Sequence, residues 1–328
     1  MIMRAFITGA SGFIGRALIG ECIRRQWDIC VLQHTQPLEE KNSSINKFDV
    51  VTGDITDPSS LDGIFEGVDI LFHCAAALGG SLISEKDFYR INAEGTKNVF
   101  QAAKDTRVPK IIHFSSAGVL GTVPNGEAAD ETFAQNPQNR YDKSKLEGEN
   151  IARSFADRGM DLVIIRPGWV YGPGDRRTFK LLKAIAKKRF ILVTKGGALQ
   201  TPVHVDDLID GVMLCAEKAQ GGEIYHIAGS EVLRVRDICA TIAAATGSKI
   251  PAISLPLWTA NLAAVVLGKS FALFKKEAPL TQGKLSFFIH PKPLAIQKAR
   301  QELGYSPKIS FQEGMQQTVE WCKVHNWL

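Results

Sequence analysis

Two stretches of this chain carry side chains whose types and spacing could do chemistry. The first is Asn139-Arg140-Tyr141-Asp142-Lys143-Ser144-Lys145. Moving a hydride to or from a carbon–oxygen bond needs a proton donor or acceptor at the oxygen. A phenol with its ordinary pKa near 10 needs help to serve near neutrality. A cation a few ångströms away supplies that help. On a helix, residues four apart share a face, so Lys145 can stand beside Tyr141, whereas Lys143 points elsewhere. The spacing alone is weak: with five tyrosines in the chain, a chance Tyr-x-x-x-Lys has odds of roughly one in three. The second stretch is Thr8-Gly9-Ala10-Ser11-Gly12-Phe13-Ile14-Gly15. Glycines at this spacing allow a tight turn, close approach of the backbone to a pyrophosphate, and close packing of a helix on a strand. The free N–H groups and positive dipole end of that helix would face the phosphates.

The elements that must position these groups read as an alternation of short apolar runs and helical patterns. Strands are expected at 5–7, 29–32, 48–51, 69–74, 110–114 and 162–165. Helices are expected from the glycine turn to about Arg25, over about 87–105 and over about 141–158. A further helix should begin with Asp57 as N-cap and Pro58 at its first position. This order predicts an α/β fold, a doubly wound parallel sheet with helices on both faces. Ligands bind beyond the carboxyl ends of such strands, where the motifs fall. Ser115 and Ser116 end the fifth strand, and only one of them can face the site. After Pro167 the pattern loosens into a basic helix at about 178–188, a helix at 206–217, a strand at 223–227 and a largely helical last hundred residues. The expected organisation is a nucleotide-binding domain over 1–167, with 203–228 returning to it. A smaller, mostly helical C-terminal substrate lobe would comprise 168–202 and 229–328.

Composition narrows the function classes. The 328 residues, 45% apolar and 22% charged, suit a globular protein with a large core. A net charge of +5 does not indicate a nucleic-acid partner, and the basic run from Arg176 to Arg189 reads as a solvated helix face. The six cysteines form no Cys-x-x-Cys pair, so free thiols in a reducing compartment are expected. No metal-ligand spacing appears, and no metal site is expected. The N-terminus lacks signal-peptide features, which points to a cytoplasmic protein. Segment 257–274 is strongly apolar, but Asn261 and Lys269 interrupt it, short of the ~20 unbroken residues a span requires. A buried or lid-forming helix is preferred there over a membrane-surface helix.

Taken in order, TGASGFIG at 8–15, GDITD at 53–57, HCAA at 73–76, FSSAGV at 114–119, YDKSK at 141–145, RPGWVYGPGD at 166–175 and HVDDL at 204–208 resemble the extended short-chain dehydrogenase/reductase family. The likeness covers nearly the whole chain and is nearest to the hydroxysteroid-dehydrogenase and dihydroflavonol-reductase branch. It implies a Rossmann-type nucleotide domain. It also implies a cofactor cradle from Gly9, Ser11, Gly12, Phe13, Ile14 and Gly15, an adenine contact from Asp54 and the Ile55 backbone, and a channel wall of Ala75 and Ala76. Pro167, Gly168 and the Val170 backbone would hold the nicotinamide carboxamide. Tyr141 and Lys145 would also contact the cofactor, Lys145 through the ribose hydroxyls, and Tyr141, Lys145 and Ser116 would be the catalytic set. Ser116 is favoured over Ser115 by the match to SSAGV. Asn92 matches a position that could serve a water relay or make a structural hydrogen bond in a kinked helix. His73, His113 and His226 read as core or strand-end residues, and Asp207 as a helix-start residue. The end of the second strand has no acid to bind a ribose 2′-hydroxyl. With His34 and Arg16 offering positive charge, the reading leans to NADP over NAD.

Within that family, Ala117-Gly118 stand where a dehydratase carries an extra acid pair. Leu199-Gln200-Thr201-Pro202 lack the arginine that sugar-nucleotide enzymes often hold just before this motif. A lobe rich in Leu, Ala, Val, Phe and Trp258 suits a hydrophobic substrate, although it also suits a lobe core. The expectation is an oxidoreductase that interconverts a ketone and a secondary alcohol on a small hydrophobic molecule. The alternatives are a sugar-nucleotide epimerase and a dinucleotide-binding protein without turnover. A homodimer through the helices at 87–105 and 141–158 is expected by analogy.

Overall fold

The structure is a computed structural model that describes residues 2–34, 48–78, 83–124, 126–250, 253–273 and 282–328. The chain opens with β1 (Arg4–Thr8), α1 (Phe13–Arg24), β2 (Asp28–Gln33), β3 (Phe48–Thr52) and β4 (Ile70–His73). Next come α2 (Glu85–Tyr89), α3 (Gly95–Asp105), β5 (Lys110–Phe114), α4 (Arg140–Ala156) and β6 (Leu162–Pro167). The first half of the remainder holds β7 (Trp169–Tyr171), α5 (Arg176–Ala186), β8 (Leu192–Val193), β9 (Leu199–Gln200), β10 (Pro202–His204), α6 (Val205–Lys218) and β11 (Ile224–Ile227). It ends with β12 (Leu233–Arg234), α7 (Val235–Ala245), β13 (Ser254–Leu255), α8 (Leu257–Leu273), α9 (Gln282–Ile289) and α10 (Phe311–Val324).

The seven-stranded sheet runs β11-β6-β5-β4-β1-β2-β3, with every neighbouring pair parallel. Parallel sheets are covered on both faces, so their strands read as nearly unbroken apolar runs. Alternate residues divide between two cores. Ile7, Val31, Phe72, Ile112 and Val163 pack with Leu18 and Cys22 of α1 and with Leu208 and Val212 of α6. Phe6, Cys30, Leu71, Ile111 and Leu162 pack with Val99 and Phe100 of α3 and with Ala152 and Phe155 of α4. Each fully buried side chain of this size contributes about 1.5–3 kcal/mol, enough in sum to fix the strand ends that carry the site.

Two expected helices differ in detail. Asp57 does cap the segment after β3, accepting from the Ser59 N–H, and Pro58 does start it, but only one 3₁₀ turn forms, at Pro58–Leu61. Gly63 and Gly67 then take φ of +68° and +71°, a left-handed backbone that ends any helix. The helix expected over 87–105 begins at Glu85 and is broken by a π turn at Arg90–Glu94. Such bulges recur at functional sites, and this one contains Asn92.

Apart from the seven-stranded sheet there are three short strand pairs among the described residues, β7 with β10, β9 with β12 and β8 with β13. They surround a core that includes Leu182, Ile185, Ile238, Ile242, Met315 and Val319. Asp207 does more than begin a helix, since its two carboxylate oxygens accept from the N–H groups of Lys308 and Ile309 at 2.8 and 3.0 Å, tying the C-terminal segment to α6. In α8, Ala260 and Ala264 are buried while Trp258, Leu262 and Val266 are exposed, so this helix is covered on one side only. Among the described residues no helix is long and apolar enough to cross a membrane. All six cysteines are free.

Candidate active site

The glycine turn connects β1 to α1. Gly9 has φ +71°, and a Cβ on it would lie 2.7 Å from the Ala75 nitrogen. A Cβ on Gly15 would lie 2.3 Å from the Gly9 carbonyl oxygen. Only glycine fits either place. Gly12 is the N-cap of α1 and leaves the helix end without a side-chain cap, and the first turn holds no acidic residue. A helix end with open N–H groups and no competing carboxylate fits a pyrophosphate. Ser11, Phe13 and Ile14 are half-buried around the turn, the last two packed on the core beneath it. Ala75 and Ala76 follow β4 beside the turn, and the Ala75 N–H donates to Thr8 Oγ1 at 3.2 Å.

Asp54 and Ile55 follow β3. The Asp54 carboxylate accepts from the Thr56 N–H at 2.8 Å and stands 3.4 Å from His34 Nε2. Burial works against its ionised form, but the Thr56 hydrogen bonds and the His34 and Arg90 charges outweigh burial and hold the carboxyl below its usual range. Ile55 is buried against Gly95 at the start of α3. His34 ends the described part of β2's loop. Thr35, next in the chain, lies outside the described residues.

The two serines after β5 separate cleanly. Ser115 is buried, with Oγ donating to Glu149 Oε2 at 2.6 Å. Ser116 is half-buried, accepts from the Gly118 N–H at 3.0 Å and lies near enough to Tyr141 to favour its ionised form. Tyr141 stands in the first turn of α4, which is capped by the Asn139 side chain accepting from the Asp142 N–H at 2.9 Å. The Phe88 ring meets its edge, 6.1 Å between centroids. Burial raises the Tyr141 pKa above its ordinary value and Asp142 adds to that, while the Arg177 charge and the Ser116 hydrogen bond act the other way. The cation acting on the phenol is therefore Arg177, which sequence reading placed on a solvated face. Lys145 is on the expected face, but its Nζ donates to the Phe114 carbonyl at 2.5 Å. Burial pulls its pKa down to about 8, against the opposing influence of Cys74 and Glu149.

Behind these groups lies a buried polar network. Glu149, fully enclosed, takes hydrogen bonds from Arg166 Nε and Nη2 at 3.0 and 2.7 Å, in addition to Ser115. Removing one partner of a buried ion pair typically costs 3–5 kcal/mol, so this pair is a fixed anchor for α4 against β6. Asn92 uses its whole amide in structure: Oδ1 accepts from the Ala77 N–H, and Nδ2 donates to the Ala77 carbonyl and to Ser144 Oγ. A Cβ on Gly148 would meet the Asn92 carbonyl oxygen at 2.3 Å, so glycine lets α4 lie directly on the π turn. His73 and His113 are buried and stacked, 5.4 Å between centroids, and burial, with Lys145 nearby, drives both pKa values down.

Beyond β6, Pro167 is buried and the Gly168 N–H donates to the Ile227 carbonyl at 3.1 Å. A Cβ on Gly168 would lie 2.2 Å from the Thr201 carbonyl oxygen, and Val170 is half-buried opposite Val203 in the β7–β10 pair. The cradle glycines, Ala75–Ala76 and Asp54–Ile55 thus stand beyond the ends of β1, β4 and β3. Ser116 and Tyr141 meet beyond β5. The sequence reading missed Arg177, the Asp142 carboxylate packed against Gly118, and Cys74, whose thiol is near enough to Lys145 for each to influence the other. Nothing local in the sequence signals such cross-chain proximities.

A profile of the NAD dependent epimerase/dehydratase family matches residues 5–228. The chain belongs to that family and is an NAD(P)-dependent oxidoreductase of the extended short-chain dehydrogenase/reductase type. It is similar, at 28% identity over 321 residues and 95% of each chain, to a 4-hydroxy-2-methyl-3-oxo-4-farnesyl-3,4-dihydroquinoline-1-oxide ketoreductase of Stigmatella aurantiaca. It is 26% identical over 335 residues to the human sterol-4-alpha-carboxylate 3-dehydrogenase (decarboxylating), covering 97% of this chain and 87% of that one. Its fold is shared with the dTDP-glucose 4,6-dehydratase DesIV of Streptomyces venezuelae, with a TM-score of 0.81 and 24% identity over 99% and 98% of the two chains.

Proposed function

We propose that the protein interconverts a ketone and a secondary alcohol on a small hydrophobic substrate, with NADP(H) preferred over NAD(H). The observation that carries this reading is the placement of Ser116 and Tyr141 near each other beyond β5, in a fold whose first turn leaves an uncapped helix end that fits a pyrophosphate. The nicotinamide cofactor, when bound, supplies or accepts the hydride. Tyr141 gives its proton to the substrate oxygen in reduction and takes one back in oxidation. Ser116 holds that oxygen and stabilises the phenolate. Lys145 binds the ribose hydroxyls, Asp54 and the Ile55 backbone the adenine, and Gly168 and the Val170 backbone the carboxamide, with Ala75 and Ala76 leaving the channel open. The preference for NADP(H) rests on Gln33 and His34 at the end of β2, where no acid would repel a 2′-phosphate, and on the exposed Arg16.

Two features favour an apolar ketone over a sugar nucleotide. Gln200 stands where an arginine would meet a diphosphate, and it is buried with Nε2 donating to the carbonyls of Phe287 and His290 at 2.8 and 3.0 Å. Next to Gly168, the half-buried Trp169 packs on the half-buried Phe287 at a centroid distance of 4.9 Å, an aromatic pair suited to an apolar body. The relatives named for a farnesylated quinoline oxide and a sterol carboxylate agree with that choice. Fluorescence titration with NADPH and NADH, followed by turnover assays on apolar cyclic ketones and on UDP-sugars, tests the reading. Tighter NADPH binding and cofactor oxidation by a ketone are expected. Epimerisation of a UDP-sugar without net cofactor oxidation would overturn it.

A further inference from the structure

A lysine from the C-terminal lobe reaches the turn that carries the candidate acid/base. Lys292 Nζ is 3.0 Å from Asp142 Oδ2, and the two side chains are only 14% and 5% exposed. Asp142 directly follows Tyr141. Asn139 Nδ2 donates to the same oxygen at 2.7 Å. The other carboxylate oxygen occupies the space over Gly118, where a Cβ would come within 1.9 Å of it. Gly118 is the residue whose N–H donates to Ser116 Oγ at 3.0 Å. One buried carboxylate therefore touches the loop that orients Ser116, the turn that bears Tyr141, and a cation from the opposite lobe.

Lys292 is held in a segment clamped to both lobes. Its N–H donates to the Leu199 carbonyl at 2.8 Å. The carbonyls of Pro291 and Pro293, on either side, accept from the Val123 and Ala129 N–H groups, each at 2.9 Å. A buried ion pair is costly to desolvate and is weak evidence for stability, so its place beside the reacting groups asks for another role.

We propose that Asp142 and Lys292 are positioning residues for proton transfer at Tyr141: Lys292 fixes and neutralises the Asp142 carboxylate, which in turn seats Gly118 and Ser116 against the phenol. This rests on the reading of Tyr141 as the acid/base, and it holds for either a ketone or a sugar substrate. The groups facing Tyr141 are Ser116, the Arg177 charge from α5, Asp142 from its own helix, the Phe88 ring and, one turn along, Lys145 held by the Phe114 carbonyl. Those facing Asp142 are Lys292, Asn139 and the nearby His290, whose ring hydrogen-bonds Thr122 Oγ1 at 2.7 Å. Lys292 is not among the groups acting directly on the phenol, so its influence passes through Asp142.

The test is a near-ultraviolet phenolate titration, each protein read against the same protein carrying Tyr141→Phe, which isolates the Tyr141 transition without any turnover. Asp142→Asn should move that transition down by about one pH unit, and Lys292→Met should move it up by a similar amount. The double variant should behave as Asp142→Asn alone, and Lys292→Arg should stay near the wild type. In carbonyl reduction, Lys292→Met should lower kcat about tenfold with cofactor affinity unchanged. Lower thermal stability in the single variants with an unmoved phenolate transition would mean a merely structural pair and overturn the proposal, as would strictly additive shifts in the double variant. Shifted transitions in a protein that reduces no ketone would count against the ketone reading and leave the pair standing.

Discussion

Lys145 Nζ lies 2.5 Å from the carbonyl oxygen of Phe114, the last residue of β5. Two residues further on, Ser116 stands near enough to Tyr141 to favour its ionised form. The start of α4 is thus joined to the end of β5 by a buried cation, whose ammonium is spent on a strand carbonyl. Lys145 thereby holds the backbone that leads to Ser116.

Lys145→Met should abolish turnover while leaving the fold no weaker at neutral pH. The side chain is nearly fully buried, and its pKa falls from 10.5 to about 8 on folding. A lowered lysine pKa means that the unfolded chain binds more protons between those values. The Lys145 contribution to stability should therefore rise as pH increases from 8 to 10.5, by up to about 3 kcal/mol, while the buried thiols, raised above their usual value, act the other way above pH 9. Urea midpoints at pH 7 and pH 9 should show the wild type gaining on Lys145→Met over that interval, the thiols contributing equally to both proteins.

Exchange of the two adjacent serines for alanine should split activity from stability. Ser116→Ala should lower kcat roughly 10²-fold or more with little change in the urea midpoint. Ser115→Ala leaves Glu149 one donor short inside the core and should cost about 1–3 kcal/mol, with kcat much less affected. Steady-state kinetics and urea unfolding of the two purified variants settle the assignment. The reverse pattern would make Ser115 the active-site hydroxyl.

The strands were legible because a parallel sheet covered on both faces needs unbroken apolar runs, and the glycine turn because only glycine fits where Gly9 meets Ala75 and Gly15 meets Gly9. The helix expected after Asp57 failed for a reason visible only afterwards: its cap and proline are correct, but Gly63 and Gly67 sit in left-handed backbone that ends it. The kink expected around Asn92 is a π turn at Arg90–Glu94, and it lies where α4 meets the Asn92 carbonyl through Gly148, a contact between distant segments. Tyr141 and Lys145 could be placed from their spacing, yet the partners of each come from elsewhere. Arg177 from α5, Lys292 by way of Asp142 and the Phe114 carbonyl are contacts between distant segments, which local pattern does not encode.

Acid should unfold the protein through its buried histidines. Burial, with the charge of Lys145 or Arg166 nearby, lowers His73 to about 3 and His226 to about 4, and puts His113 well below 6.5. These rings are neutral in the fold, so their stability contribution is complete above the unfolded value near 6.5. It is lost as pH falls toward the folded values, at about 1.4 kcal/mol per unit for each ring. The urea midpoint should drop steeply between pH 6.5 and 4. His226→Gln should flatten part of that drop, and an equally steep loss in this variant would remove His226 from the account.

The most direct measurement of the central claim is the rate of NADPH oxidation by an apolar ketone in wild type and Tyr141→Phe, with NADPH affinity determined for both by fluorescence. Loss of the hydroxyl should reduce kcat by about 10²–10⁴-fold and leave the dissociation constant for NADPH within a factor of about two, because the phenol is needed for the proton and not for the cradle. Unchanged turnover in Tyr141→Phe, with the cofactor still bound, would contradict the assignment of Tyr141 as the proton donor.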